Sequence, residues 1–194
     1  SLKLLIGFLI VATIAGMIGI VGVMSLNTVS DNAKYLYEYA TEPITKVSRA
    51  LSLYHENRVE IRNLLLIDSQ NDIRERIADI KERADQIDSL LDEYEKTIAT
   101  ETGRAYYQEF DAAYNIYIPI LDEVVRLVEE GRMEEARLVL YGDSMTTAAD
   151  NVRNGLEGLI NTRAKNGQAE FENILNTSKR TKVTMTVLSL GGVT

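Results

Sequence analysis

The chain has 194 residues, of which 21 are basic and 29 acidic, and its net charge of −8 makes it a poor binder of nucleic acid. It contains no Cys and one His, which excludes disulfides, thiolate metal sites and haem attachment through cysteine. Because the sequence also lacks a Ser-His-Asp arrangement, a Gly-rich phosphate loop and a helical Glu-x-x-His pattern, we expect no enzyme activity, cofactor or metal ion.

The chain opens with an apolar segment, residues 4–24, which holds 21 residues without a single charge. At about 1.5 Å of rise per residue, a helix of this length crosses a hydrocarbon core of roughly 30 Å. A second apolar segment begins at Val183. We therefore predict a transmembrane helix at residues 1–25, an extramembrane domain at residues 26–182, and the start of a second transmembrane helix at residues 183–194. This arrangement places the chain in the inner (plasma) membrane, with the domain in the periplasm or outside the cell.

Between the two apolar segments, apolar residues recur at intervals of three and four, which is the period of an amphipathic α-helix. The first stripe extends from the membrane segment to about Ile67, and Pro43 is predicted to bend this helix because proline removes a helical hydrogen bond. A polar turn at residues 68–72 ends it. Two further helices are predicted at residues 72–100 and 106–130.

Glycine and polar residues mark the remaining helix ends. Gly131 is predicted to cap the third helix, and a short helical turn follows at residues 133–141. Asp143 or Ser144 is predicted to cap the last long helix, which continues into the second apolar segment.

The lengths of these helices decide the predicted architecture. The first and last helices outside the membrane each span about 60 Å, whereas the two between them are nearer 40 Å. We therefore predict an all-α fold, an antiparallel up-down-up-down four-helix bundle whose long first and last helices continue into transmembrane helices. The excess length would form a two-helix stalk. Since such a stalk buries little apolar surface alone, we expect a parallel homodimer in which a second subunit covers it.

The order of these parts, together with several local patterns, resembles the four-helix-bundle ligand-binding domain of bacterial methyl-accepting chemotaxis proteins. The patterns are Glu42-Pro43-Ile44, the segment Asn-Arg-Val-Glu-Ile-Arg-Asn-Leu-Leu at residues 57–65, the turn Glu130-Gly131-Arg132 with Ala136, and Asn161 in the last helix. The resemblance covers essentially the whole chain. It implies a chemotaxis receptor that binds a small extracellular ligand and transmits a helix displacement across the membrane to a signalling module.

Two alternatives to a chemoreceptor stay open. The same input domain is found on sensor histidine kinases and other transmembrane signalling proteins such as diguanylate cyclases. A module of this kind can also sense indirectly, through a periplasmic binding protein. Neither alternative changes the predicted fold.

Arg58 is the first candidate for ligand binding. On a seven-residue count through Ile44, Leu51, Arg58 and Leu65 it occupies a core-type position, where a guanidinium is rarely left unpaired. Arg62 lies one helical turn further on. With the adjacent Tyr54 and Asn57, the two arginines are suited to a carboxylate, such as that of an amino acid. The alternative is that nearby carboxylates pair with both arginines; the candidates are Glu56, Glu60 and Glu157.

Counting equal heights on the antiparallel last helix brings polar residues to the level of Arg58. These are Thr146, Thr147 and Asn151, whose hydroxyls and amide suit the polar groups of a ligand. The resemblance to aspartate-type chemoreceptors implies such a site, with arginines from the first helix and a Thr on the last, commonly at a dimer interface. The alternative is that the two threonines belong to the start of a helix and serve only as caps.

Four tyrosines follow one another at helical spacing on the third helix. They are Tyr106, Tyr107, Tyr114 and Tyr117. Aromatic residues at this spacing usually form core. The alternative is a pocket wall for an aromatic or organic-acid ligand, and Tyr117 is the candidate for contact with it.

Overall fold

The computed structural model describes residues 2–67 and 69–191, and these are helical apart from short turns. A π-helical turn, Tyr37–Thr41, separates the first two helices. The α-helices are α1 (Leu2–Leu36), α2 (Glu42–Leu64), α3 (Gln70–Glu95), α4 (Glu101–Glu129), α5 (Met133–Leu140) and α6 (Asp143–Gly191). The predicted all-α fold is confirmed. The chain divides into two compact units, one of residues 39–169 and the other of residues 1–38 with 170–194.

The unit of residues 39–169 is a four-helix bundle formed by α2, α3, α4 and the first part of α6, with the short α5 between α4 and α6. Each long helix turns one apolar stripe inward, and the four stripes form one core. The stripe predicted for the second helix is confirmed over most of its length. Its buried side chains are Ile73, Ile77, Ile80, Ile87, Leu91 and Tyr94. Burying side chains of this size contributes about 1.5–3 kcal/mol each relative to leaving them exposed.

Hydroxyl side chains cap the N-termini of the two central helices. The Ser69 hydroxyl accepts a hydrogen bond from the Asp72 N–H, with 3.4 Å between the two atoms. The Thr100 hydroxyl accepts one from the Gly103 N–H at 3.1 Å. Both residues have extended backbone angles, as N-cap residues do. The turn predicted at residues 68–72 is therefore shorter than expected, because α3 already begins at Gln70 after the cap at Ser69. Asp68 lies outside the described residues.

Gly131 ends α4, as predicted. Its φ of 75° is a left-handed conformation that favours glycine. The Arg132 N–H donates to the Leu127 carbonyl at 2.8 Å, and the Gly131 N–H donates to the Val128 carbonyl at 3.0 Å. This pair of hydrogen bonds is the Schellman motif, which satisfies carbonyls that the helix end leaves free.

The predicted cap of the last helix is wrong by one residue. The Thr146 N–H donates to the Gly142 carbonyl at 3.0 Å, and α6 begins at Asp143. Gly142 therefore accepts the first helical hydrogen bond, and Asp143 lies within the first turn. There its negative charge interacts favourably with the positive end of the helix dipole.

Pro43 changes the helical hydrogen-bond pattern just before it. Because proline has no N–H, it cannot donate to the carbonyl of Tyr39, four residues earlier. The chain forms its π-helical turn, Tyr37–Thr41, at this place, and α2 begins at Glu42 with Pro43 in its first turn. The first predicted helix is therefore helical throughout but not α-helical throughout. Pro119 has no such effect, since α4 continues across it.

The second unit contains α1, the start of the π-helical turn, and the end of α6 from residue 170. No helix in the described part of the chain combines the length and the apolar character that a membrane span requires. The structure therefore does not confirm the transmembrane helices predicted at residues 1–25 and 183–194. Of these ranges, residues 1 and 192–194 lie outside the described part.

Within the bundle unit, the π-helical turn packs closely against α6 at Gly167. A Cβ atom placed on Gly167 would lie 2.6 Å from the Cβ atom of Ala40. An alanine Cβ has no rotamer by which to move away. Gly167 therefore permits the close approach of the two backbones.

Arg163 is a buried charged side chain on α6, with 5% of its surface exposed. Its guanidinium donates to the carbonyl and the hydroxyl of Thr97, at 2.8 and 2.7 Å. Its central carbon lies 5.2 Å from the ring centroid of Tyr39 and 5.4 Å from that of Tyr94. No carboxylate in residues 2–67 and 69–191 forms an ion pair with it. Hydrogen bonds and cation–π contacts therefore take the place of a counter-ion.

Replacing Gly167 by Ala should destabilise the bundle by about 1–3 kcal/mol, because the new methyl group would collide with Ala40. The matched control is Gly158→Ala on the same helix, where a Cβ meets no atom within 4 Å. That change should stabilise the protein by about 0.5–1 kcal/mol through helix propensity alone. Thermal or urea unfolding measures both. Equal effects of the two substitutions would contradict the close approach.

Replacing Arg163 by Lys should cost about 2 kcal/mol in free energy of unfolding. Lysine keeps the charge but loses the planar fork that donates to Thr97 while it stacks on two rings. The control is Arg49→Lys on α2, whose side chain is 55% exposed and lies 3.7 Å from Glu56. We expect this change to stay within about 0.5 kcal/mol of wild type. If the two variants unfold alike in urea, the cation–π contacts are not stabilising.

Candidate ligand-binding site

A cavity of about 90 Å³ lies within the bundle unit, between α2, α4, α5 and the start of α6. Four of the sequence-predicted residues, Arg58, Arg62, Tyr117 and Thr146, line it together. The complete lining is Arg58, Ile61, Arg62, Tyr117, Leu140, Tyr141, Met145, Thr146 and Ala149. No carboxylate belongs to this lining.

Arg58 and Arg62 belong to the lining of the cavity. Arg58 is half-buried and Arg62 is exposed. The core-type position predicted for Arg58 is therefore wrong. Ile44, Leu51 and Leu65, which share its seven-residue count, are also only partly buried. The buried face of α2 lies to one side of this row, on residues that follow the three- and four-residue period: Val47, Ala50, Tyr54, Asn57, Ile61 and Leu64.

Neither guanidinium has a carboxylate partner in the described part of the chain. Arg62 donates a long hydrogen bond, 3.4 Å, to the backbone carbonyl of Arg58. The guanidinium carbon of Arg58 lies 5.8 Å from the ring centroid of Tyr54, which is a cation–π distance. The charges of both arginines are therefore free to meet an anion in the cavity.

None of the three carboxylates predicted as alternative partners forms an ion pair with Arg58 or Arg62 among the described residues. Glu60 forms its ion pair with Arg76. Glu56 lies 3.7 Å from Arg49 and 3.8 Å from Arg83. Glu157 is exposed, and among the described residues it forms no ion pair with either arginine of the cavity.

Tyr117 belongs to the lining of the cavity, and its hydroxyl is buried. The residue is 2% exposed, and its hydroxyl has no hydrogen-bond partner among the described residues. Burial raises the pKa of the phenol, against the opposing influence of Arg58 and Arg62, so the hydroxyl stays protonated near neutral pH. An unpaired buried donor costs about 1–3 kcal/mol.

Tyr54 lies next to Tyr117 but outside the cavity lining, and its hydroxyl has a hydrogen-bond partner. Its hydroxyl donates to the Ala149 carbonyl on α6 at 2.6 Å. Its ring meets the Tyr117 ring edge-on, with 5.5 Å between the centroids. Burial raises the pKa of Tyr54 to about 12, which keeps it a donor. Tyr54 therefore holds Tyr117 and α6 in place and does not itself line the cavity.

Three predicted site residues lie away from the cavity. Asn57 is buried and ties α2 to α3: its amide donates to the Ile80 carbonyl at 3.0 Å and accepts from Arg83 at 3.4 Å. Thr147 and Asn151 are exposed and do not line the cavity. Successive residues of an α-helix point about 100° apart, so only one of two adjacent threonines can face the same neighbour.

The other three tyrosines of α4 have different environments. Tyr106 is exposed, so its predicted place in the core is wrong, whereas Tyr107 is buried. The Tyr114 hydroxyl donates to the Asp88 carboxylate at 2.8 Å, and burial raises the pKa of this tyrosine. Of the predicted aromatic stripe, only Tyr117 reaches the cavity.

Sequence reasoning missed the part of the lining that comes from α5 and the turn after it. Leu140 and Tyr141 end α5, and Met145 follows in the first turn of α6. The segment was predicted to be helical, but nothing in the sequence indicates that it folds over the level of Arg58. Among the described residues, no group of three His, Asp or Glu side chains is arranged to hold a metal ion.

Similarity to known proteins identifies the family of this chain. The family model described as a four helix bundle sensory module for signal transduction matches residues 1–177. A protein of Acetivibrio thermocellus, whose name describes it as a sensory transducer, is 30% identical over 124 residues, which are 62% of this chain. The match spans 22% of that relative's length. Since the family model covers most of the chain, this protein belongs to the family of four-helix-bundle sensory modules for signal transduction.

Proposed function

We propose that this sensory module is the input region of a transmembrane chemoreceptor of the methyl-accepting type, and that it binds a small extracellular ligand directly in the cavity. The main support for direct binding is that two arginines, Arg58 and Arg62, line the cavity and have no carboxylate partner among the described residues. Guanidinium groups bind carboxylates through paired, charge-assisted hydrogen bonds. Membership of the sensory family supports the input role.

A ligand in this cavity would contact three elements at once: α2 through Arg58, α4 through Tyr117 and α6 through Thr146. If it binds more tightly to one offset of these helices than to another, it shifts the population between the two arrangements. We propose that a displacement of α6 relative to α2, within the bundle, is the signal. The same logic applies if the output is a histidine kinase or a diguanylate cyclase.

We also propose that the module is membrane-bound and dimeric. The uncharged stretch of residues 4–24 supports a membrane anchor, which puts the bundle in the periplasm or outside the cell. A parallel homodimer would cover apolar side chains that α1 and α6 expose in the unit outside the bundle, such as Leu26, Phe171 and Leu175. A signalling module downstream would receive the displacement.

Direct binding is tested by thermal unfolding of the full 194-residue chain with a panel of amino acids and organic acids. A ligand at a hundred times its dissociation constant should stabilise the fold by about 2.7 kcal/mol. Arg58→Ala should weaken its binding more than tenfold. The control is Arg49→Ala, on the same helix but outside the cavity, which should bind as wild type does. A panel without any shift would favour indirect sensing through a periplasmic binding protein.

Membrane attachment is tested by washing membranes from cells that express the chain with alkaline carbonate. The wild-type protein should stay in the pellet. Ala12→Asp with Gly16→Asp should release it, since a carboxylate near the centre of a membrane helix costs about 2.5–3.5 kcal/mol. As a control, Asn27→Asp with Ser30→Asp lies beyond the apolar stretch and should not release the protein. Release of the wild-type chain by carbonate would overturn the anchor.

A further inference from the structure

The end of the bundle unit away from the cavity contains an arrangement that ligand binding does not use. We propose that Arg163 and Gly167 of α6 clamp residues 39–41 of the π-helical turn, and that this turn opens locally when α6 moves. The inference rests on the proposed displacement of α6, for which it supplies the element that responds. The observations that carry it are a close backbone approach, a buried cation and a proline.

The two clamp residues contact neighbouring residues of the turn. Arg163 and Gly167 lie four residues apart, on the same face of α6. The central guanidinium carbon of Arg163 lies 5.2 Å from the Tyr39 ring centroid, and Gly167 leaves no room for a Cβ atom beside Ala40. A slide of α6 by one helical turn would put the Arg163 side chain in the place of Gly167. The two contacts therefore fit one position of α6.

Arg163 keeps other partners when the turn opens. Its guanidinium donates to the carbonyl and the hydroxyl of Thr97, and its central carbon lies 5.4 Å from the Tyr94 ring centroid. Both partners belong to the end of α3 and the turn after it. Since these hydrogen bonds do not involve Tyr39, its departure does not leave the buried charge without a partner.

The turn is less stable by itself than a continuous α-helix. Pro43 has no N–H for the Tyr39 carbonyl, and a π-helical turn interrupts the α-helical hydrogen-bond pattern. No side chain of residues 37–41 is fully buried. The contacts with α6 therefore help to keep Tyr39 and Ala40 packed. Segments with few buried contacts are the ones that open locally in a folded protein.

A single helix connects the clamp to the cavity. Thr146 and Ala149 of α6 line the cavity, and Arg163 lies 17 residues beyond Thr146, about 25 Å along the same helix. A displacement of α6 at the cavity therefore changes the distance between Arg163 and the Tyr39 ring. The cation–π contact weakens as that distance grows, and the turn is released.

Two single amide groups of the full 194-residue chain, held in lipid nanodiscs, can measure this opening by NMR. The sequence contains the pair Tyr-Ala once, at Tyr39-Ala40, so carbon-13 carbonyls in Tyr and nitrogen-15 in Ala select the Ala40 amide. It contains one His, so nitrogen-15 in His selects the His55 amide of α2 as the reference. The ratio of their hydrogen-exchange rates separates opening of the turn from unfolding of the bundle.

Arg163→Lys tests the cation of the clamp. It keeps the charge but loses the planar group that stacks on the Tyr39 ring. We expect it to speed Ala40 exchange about tenfold relative to His55. The control is Arg49→Lys on α2, which should change this ratio less than about twofold. If Arg163→Lys speeds both amides equally, Arg163 only stabilises the bundle and the proposal falls.

Gly167→Ala and Pro43→Ala test the other two parts. A methyl group at residue 167 would collide with Ala40, so it should also speed Ala40 exchange about tenfold. Pro43→Ala restores a donor for the Tyr39 carbonyl, so it should slow this exchange and make it insensitive to Arg163→Lys. An unchanged Ala40 rate in either single variant would contradict the proposal.

Gly155→Ala tests whether the turn follows the position of α6. A Cβ atom on Gly155 would lie 3.1 Å from Phe110 of α4, so the new methyl group pushes α6 away from α4 at a place outside the clamp. The matched control is Gly158→Ala, where a Cβ meets no atom within 4 Å. Gly155→Ala should raise the ratio of Ala40 to His55 exchange by about threefold or more, and the control by less than about twofold. Equal ratios in the two variants would overturn the dependence on α6.

The outcomes separate this proposal from direct ligand binding, because the exchange ratio is measured without a ligand. If the clamp variants behave as expected and the panel of amino acids and organic acids gives no shift, the clamp stands and direct binding falls. If the panel yields a ligand and the clamp variants leave the exchange ratio unchanged, direct binding stands and the clamp falls.

Discussion

Burial of four apolar helix stripes in one core is the constraint on which the structure of the bundle depends. Because the interior is apolar, every polar group within it needs a partner. Most have one: the Asn57 amide donates to the Ile80 carbonyl, the Tyr54 hydroxyl to the Ala149 carbonyl, and the Arg163 guanidinium to Thr97. The first two hydrogen bonds join different helices, and the third joins α6 to the turn after α3. They therefore set the heights at which the helices stand beside one another.

Among the described residues, two buried side-chain atoms break this rule: the Tyr117 hydroxyl, in the lining of the cavity, and Arg153 Nε, outside it. The Tyr117 hydroxyl is buried without a partner, and the half-buried Arg58 has no carboxylate near it in the described part of the chain. Violations of local consistency in natural proteins concentrate at functional sites. A small anion would pair with Arg58, and the family to which the chain belongs is a sensory one. A ligand site within the bundle is consistent with membership of that family.

Much of the site could be predicted because helices are regular in height. A constant rise per residue brings Arg58 on α2 and Thr146 on α6 to one level, and they line one cavity. Rotation about the helix axis could not be predicted as well. The count that placed Arg58 in the core was off by part of a turn, and Thr147 does not line the cavity although the neighbouring Thr146 does. The contribution of Tyr141 depends on how α5 folds back, which no local pattern encodes.

The sequence by itself determined the all-α class, the number and order of the long helices, the cap at Gly131 and the buried stripe of α3, because the apolar period and the turn residues act locally. Only the tertiary structure decided which side chains share the cavity and which polar groups lack a partner. It also decided how closely Gly167 approaches Ala40. These features depend on distances between helices far apart in the chain, and such distances follow from packing the whole core at once.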